Sequence, residues 1–386
     1  MKKICFFIQT PLTKRDYNRF GAELLGKSGF EVSFLDMTDV MNPQYRKHYK
    51  PVKEISVDNV KVCGNYGDIE RFLKDNRGLF GIDMIGARVG NVFFYKLLKR
   101  YDIQYASFCA NSIPVPSFSN AAKLNFITNG KIILGKAVWR MANLFLGLQS
   151  PAFILAGGVK YARKRPRPGK STEIIWAHTL DYDLYLDYSS RNPGPIIEGP
   201  YAVFLDEYFP LHPDYYICTG MYKNPFRDSA EYYASMNIFF SRFEGKIGMP
   251  VVIAAHPASH YEGTPGIFEG RRIIKHDTIG LVAHASHVLA HASTSINFAV
   301  LFRKPISFVT LAAMNRTQYG PFIANFSRQF GRPVINADDD AIARPDRAKT
   351  NEERLYKKYI EDFIKTEKSP QIPFWQIVGD RVRTYN

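Results

Sequence analysis

Three polar clusters in the second half of this 386-residue chain could do chemistry. They are Asp206-Glu207 after AVFL, His256-Pro257 after VVIAA, and His291 with Ser293, Thr294 and Ser295 after HVLA. Short apolar runs closed by polar residues read as buried strands. In an open α/β sheet, ligands bind beyond the carboxyl ends of such strands. If the three strands are parallel neighbours, the clusters share one rim. Imidazoles and hydroxyls donate to anionic oxygens, and carboxylates accept protons, so the set suits anion binding and acid–base work.

The stretch VLAHASTSINFAVLFRKPI places Ser293, Thr294 and Ser295 where a strand hands over to a helix. A plain N-cap needs one hydroxyl. Three hydroxyls near two strand-end histidines point to a phosphate, which a helix N-terminus also favours. Pro257 holds His256 in an extended backbone, which keeps its imidazole at the strand tip, ready to donate to a phosphate oxygen or protonate a leaving group. His291 points either into this pocket or into the sheet. Six histidines (256, 260, 276, 284, 287 and 291) crowd one region, yet no HExxH and no carboxylate in register accompanies them. No metal site is expected. Asp181-Tyr182-Asp183 is formally a DxD and leaves three readings open: a surface turn, an acceptor-side carboxylate pair, or a metal site.

These residues need elements to position them. In the first half, 3–9, 30–36, 79–85 and 103–109 read as strands, with helices over 14–28 and 91–100. STEIIWAH (171–178) is a further strand, followed by TLDYDLYLDY. The second half restarts the alternation. Strands are expected at 201–209, 250–257, 287–292 and 305–310, and helices at 228–247, 277–285, 294–302 and 351–366. The fold class is therefore α/β, with two Rossmann-like domains and a C-terminal helical tail. The Pro/Gly-rich SSRNPGPIIEGP (189–200) marks the boundary, giving domains 1–195 and 196–386. IPFWQIVGDRVR at the C-terminus is a candidate to pack back on the first domain. The first strand-to-helix turn lacks GxGxxG, which argues against a dinucleotide dehydrogenase.

The formal net charge of +15 calls for an anionic partner. Residues 118–170 read as helical, apolar and studded with Lys and Arg, ending in a basic run from Arg163 to Lys170. Two readings stand for this segment: core helices with a solvated basic loop, or a patch that touches anionic lipid. GKST at 169–172 is not a P-loop, because the earlier glycine it requires falls on Lys164. Four scattered cysteines without CxxC suit a reducing cytoplasm. No apolar run is long enough to span a membrane, and the short N-terminal run reads as a strand rather than a signal peptide. No RNA- or DNA-binding signature accompanies the charge, so nucleic acid is not expected as a partner.

A strand ending in His-Pro, a strand ending in Ser-Thr before a helix, then Lys-Pro and another strand resembles the nucleotide-binding half of GT-B glycosyltransferases. The resemblance covers roughly residues 200–310 and is nearest to bacterial sialyltransferase-like and Kdo-transferase-like enzymes of capsule and lipopolysaccharide assembly. It implies a CMP-activated acidic sugar as donor and a glycan or lipid-linked acceptor. It also implies a nucleotide-binding second domain facing an acceptor-side first domain, with no metal or other cofactor. On that resemblance His256 and the hydroxyls of Ser293 and Thr294 contact the CMP phosphate. Asp206-Glu207 is similar to the acidic catalytic motif but has Tyr208 where a glycine is expected, so Asp181 and Asp183 stand as rival bases. The enzyme would sit at the inner face of the cytoplasmic membrane through its basic segment. Other readings of the same layout are a UDP-sugar 2-epimerase, a CDP-alcohol phosphotransferase of teichoic-acid type, and a non-catalytic membrane- or RNA-binding protein.

Overall fold

The computed structural model describes residues 1–43, 45, 55, 57–111, 113–114, 134–135, 137–139, 141, 144–162, 169, 171–212, 229–264, 266–317, 319–340 and 352–385. The basic run 163–168 therefore lies outside the described residues, as do Pro213 and Asp214. The chain forms two compact units. One comprises Met1–Ser112, Ile127–Leu180 and Asp362–Asn386, and the other Ile113–Phe126 and Asp181–Glu361. The changeover at Leu180/Asp181 precedes the Pro/Gly-rich stretch 189–200, and the C-terminal residues belong to the first unit rather than the second.

Seven parallel strands build the first unit's sheet. They are β1 (Lys3–Ile8), β2 (Glu31–Asp36), β3 (Val60–Val62), β4 (Phe80–Asp83), β5 (Gln104–Cys109), β6 (Phe153–Ala156) and β7 (Glu173–Trp176). Their order is β3-β2-β1-β4-β5-β6-β7. Alternate residues of β1 serve the two faces, so Phe6 packs in one core and Phe7 in the other. The helix Phe374–Thr384 closes the first of these cores. Its Trp375 is fully buried, meets Phe6 edge-on at 5.0 Å, and donates its indole N–H to the Arg19 carbonyl at 2.7 Å.

Two expectations for this unit need correction. Residues 14–28 form two short helices, Lys14–Arg19 and Ala22–Lys27, rather than one. Gly21 breaks them at φ +57°, where a Cβ would lie 2.5 Å from the Trp375 ring, so the docked indole requires glycine there. The 118–170 stretch is not helical throughout, because FILA forms β6, buried between β5 and β7. Four apolar residues have no period that separates strand from helix.

The second unit holds β8 (Ala202–Leu205), β9 (Val251–Ala255), β10 (Ile273–Lys275), β11 (His287–Ala290), β12 (Ile306–Thr310) and β13 (Val334–Asn336), in the order β10-β9-β8-β11-β12-β13. All pairs are parallel. β8, β9, β11 and β12 are buried along their whole length, as expected for near-continuous hydrophobic runs between helical layers. The helix Ser229–Ile247 supplies Tyr232, Met236, Phe239, Phe240 and Phe243 to this core.

Candidate functional site: the carboxyl rim of the second sheet

Parallel pairing brings the carboxyl ends of β8, β9 and β11 to one rim, and β8 lies between the other two. The strand ends that carry the three clusters therefore share one rim. Neighbouring strands lie about 4.8 Å apart, so the tips of β9 and β11 flank a gap of roughly 10 Å above β8.

His256, at the tip of β9, is half-buried. Its Nδ1 accepts the Ala258 N–H at 3.1 Å. A neutral ring in this arrangement carries its proton on Nε2, which is then a donor. The ring of His212 stands against it, with centroids 4.5 Å apart. His212 lies five residues beyond Glu207 in the sequence.

After β11, the segment Ala292–Ser295 turns into the helix Ile296–Leu301. Ser295 occupies the N-cap position without a side-chain cap bond, and its N–H donates to Ser293 Oγ at 3.3 Å. Thr294 is exposed, whereas Ser293 and Ser295 are half-buried. A helix of six residues has little macrodipole, so the helix end by itself, expected to favour a phosphate, offers an anion little.

His291 is not part of this rim. It is fully buried and both ring nitrogens are engaged: Nδ1 with the Val309 carbonyl at 2.7 Å and Nε2 with the Tyr232 hydroxyl at 2.9 Å. Burial depresses its pKa and keeps the ring neutral, so Nδ1–H donates to the carbonyl and Nε2 accepts from the tyrosine. The ring points into the sheet, and the expected nucleotide contact is corrected to a core role. Two others of the crowded histidines are engaged elsewhere as well. His287 meets Ser307 Oγ, with its pKa lowered to about 4 by burial, and His284 meets the Tyr188 hydroxyl. Among the described residues no group of His, Cys, Asp and Glu has the makings of a metal site.

The acidic pair is buried rather than presented. Asp206 Oδ2 accepts the His256 N–H at 3.1 Å and the Tyr261 hydroxyl at 2.8 Å, and Oδ1 accepts the Tyr208 N–H at 2.9 Å. Burial raises the Asp206 pKa from 3.8 to about 6 against the pull of those donors. Burial and the neighbouring carboxylate push the Tyr261 hydroxyl upward, which keeps it a donor. Glu207 accepts the Ala292 N–H at 2.7 Å through Oε1 and the Tyr319 hydroxyl through Oε2. Tyr208 sits at φ +55°, the left-handed region in which the expected glycine would be unstrained.

Asp181 and Asp183 lie in the first turn of the helix Leu180–Arg191, not in a loop after a strand. Residues two apart on a helix do not face each other, so the DxD does not form a carboxylate pair. Asp181 is buried and accepts the Asn297 amide at 2.9 Å, an anchor for the helix that follows the serine loop. Tyr261, Tyr319 and Tyr232 escaped the sequence reading, because no spacing marks a lone tyrosine that reaches a strand end from elsewhere.

Two parallel, helix-flanked sheets with ligand-type residues at a carboxyl rim define a GT-B-like α/β fold. Two solved structures share this fold. The wall teichoic acid polymerase TagF, as an amino-acid variant, matches with a TM-score of 0.55 at 11% identity over 99% of this chain and 88% of that chain. A TagF structure soaked with CDPG matches at 0.54 and 9% identity over 99% and 87%. The UDP-GlcNAc 2-epimerase from Methanocaldococcus jannaschii and MurG from Acinetobacter baumannii each match at 0.49 and 10% identity over the whole of both chains. No protein-family model matches the chain, and no curated protein matches it significantly.

Proposed function

We propose that the chain is a metal-independent glycosyltransferase of bacterial surface-polysaccharide assembly, which binds the phosphate of a CMP-activated acidic sugar at the rim of its second unit. The observation that carries this reading is the placement of His256 and the Ser293–Ser295 hydroxyls on either side of β8. The arrangement offers an imidazole donor from one strand tip and hydroxyl donors from the other. The acceptor hydroxyl oxygen bonds to the sugar's anomeric carbon as the bond from that carbon to the phosphate oxygen breaks, the hydroxyl proton leaves to solvent, and charge grows on the departing CMP phosphate. Fixed donors of this kind stabilise it there. Pro257 holds the His256 backbone extended. The first unit then takes the acceptor-side role.

A membrane-bound acceptor has support of its own. Leu134, Val138, Met141, Leu144 and Phe145 are exposed, Leu144 and Phe145 by three-quarters, while Trp139 turns inward against Tyr95. Beside them, Lys99 of the helix Val92–Arg100 donates to the Leu146 carbonyl at 3.2 Å, and Arg100 follows it, also exposed. Apolar side chains next to lysine and arginine suit an anionic bilayer surface. On this reading the first unit lies against the inner face of the cytoplasmic membrane. Among the described residues no helix is long and apolar enough to cross it.

A second reading, transfer of a phosphoalcohol unit from a CDP-linked donor, draws on the likeness to TagF. It also releases CMP, but by breaking a phosphoanhydride rather than a glycosidic bond. Incubation with a CMP-activated acidic sugar, a CDP-alcohol and a UDP-sugar, each with a lipid-linked glycan acceptor, separates the cases. Turnover of the CMP-sugar alone is expected. Turnover of the CDP-alcohol alone would establish the second reading, and turnover of the UDP-sugar alone would overturn both.

A further inference from the structure

We infer that Asp206 and Glu207 are a pair of positioning residues that set the two walls of the phosphate site. The inference rests on the phosphate-site reading given above. β8 stands between β9 and β11, and its two exit residues reach in opposite directions. Asp206 takes the backbone N–H of His256 on one side at 3.1 Å, and Glu207 takes the backbone N–H of Ala292 on the other at 2.7 Å. Each bond is to the first residue, or nearly the first, beyond a strand that carries a proposed phosphate contact. Tyrosines from outside the strand ends pin the bracket: Tyr261 donates to the same Asp206 oxygen, Oδ2, that takes the His256 N–H, and Tyr319 donates to the second Glu207 oxygen, Oε2.

This arrangement explains why two acidic residues lie beneath a site meant for an anion. Their charge is turned into the sheet rim, where N–H and O–H donors take it up. Both carboxylates are also more than nine-tenths buried, which does not suit a base that must meet an acceptor hydroxyl. The bracket holds the width of the gap, and width decides whether both walls can bond one phosphate. Fixing both walls before the donor arrives removes an ordering cost from binding.

Residue-resolved amide exchange together with CMP and cytidine titrations tests the pair. In the wild type the His256 and Ala292 amides should exchange slowly although both lie beyond strand ends. Fast exchange at both overturns the bracket without any variant. Asp206→Asn should speed exchange at His256 and spare Ala292, and Glu207→Gln should do the reverse, with the Ile253 amide of β9 unchanged as the control for folding. Each variant should weaken CMP about tenfold through loss of one charge-assisted hydrogen bond, and leave cytidine affinity unaltered. Faster exchange with unchanged CMP affinity overturns the positioning role, and so does loss of turnover with intact CMP affinity, which is the behaviour of a catalytic base. If the wild type binds no nucleotide, the functional reading fails, while the exchange data still decide whether the bracket exists.

Discussion

Acidification should stabilise the second unit through Asp206, and Asp206→Asn should abolish that gain. The carboxyl is buried and its pKa rises from 3.8 to about 6. The folded protein therefore binds this proton more tightly than the unfolded chain does. The resulting stability is fully present below 3.8 and is lost as pH rises through about 6. The interval between the two values corresponds to about 3 kcal/mol. Moving from about pH 7.5 to about pH 5 recovers roughly 1.4 kcal/mol of it. For a unit of this size that is roughly 3–6 °C in Tm. Calorimetry of wild type and Asp206→Asn at matched ionic strength isolates the effect, because every other titrating group is shared. The wild type should gain Tm on the variant as pH falls. Parallel curves, or a wild type that loses ground on acidification, would refute the reasoning. The second result would mean that donors outweigh burial at this carboxylate.

Other expectations concern the first unit. Trp375→Ala should cost about 3–5 kcal/mol in chemical denaturation, since it empties a fully buried site against Phe6 and Gly21; a cost below about 1 kcal/mol would show that the C-terminal helix is dispensable. Gly158→Ala should destabilise by about 1–3 kcal/mol, because overpacking cannot be relieved where the neighbours are backbone. A Cβ there would stand 2.2 Å from the Phe363 nitrogen. Unchanged stability would contradict that close approach. Replacing Leu144 and Phe145 together by Glu should sharply reduce co-sedimentation with anionic vesicles, and undiminished sedimentation would remove this face from the account.

Much of this architecture was legible because fully buried parallel strands leave continuous apolar runs. KICFFI, EVSFLD, AVFL, VVIAA and ISFVT announce themselves, and polar residues directly after them mark the rim. The edge strands β3, β10 and β13 did not, being three residues each and incompletely buried. Long-range packing was also beyond reach. The break at Gly21 is set by Trp375, hundreds of positions away in the chain, and no local pattern encodes it. The same holds at the site. His256 and the serines could be read from strand-end position, but the direction of His291 depends on Tyr232 and Val309. Whether Asp206 and Glu207 face a ligand or their neighbours' amides depends on which strands flank β8. Sequence supplied the residue types at the rim, and topology decided their orientation.

The central claim is that the rim of the second sheet binds a nucleotide phosphate between His256 and the Ser293–Ser295 loop. Calorimetric titration of CMP and cytidine into wild type, His256→Ala and Ser293→Ala/Thr294→Ala tests it most directly. CMP should bind the wild type much more tightly than cytidine, and both variants should reduce CMP toward the cytidine level with their Tm nearly unchanged. Equal affinity for CMP and cytidine in the wild type, or CMP binding indifferent to both variants, would contradict the account.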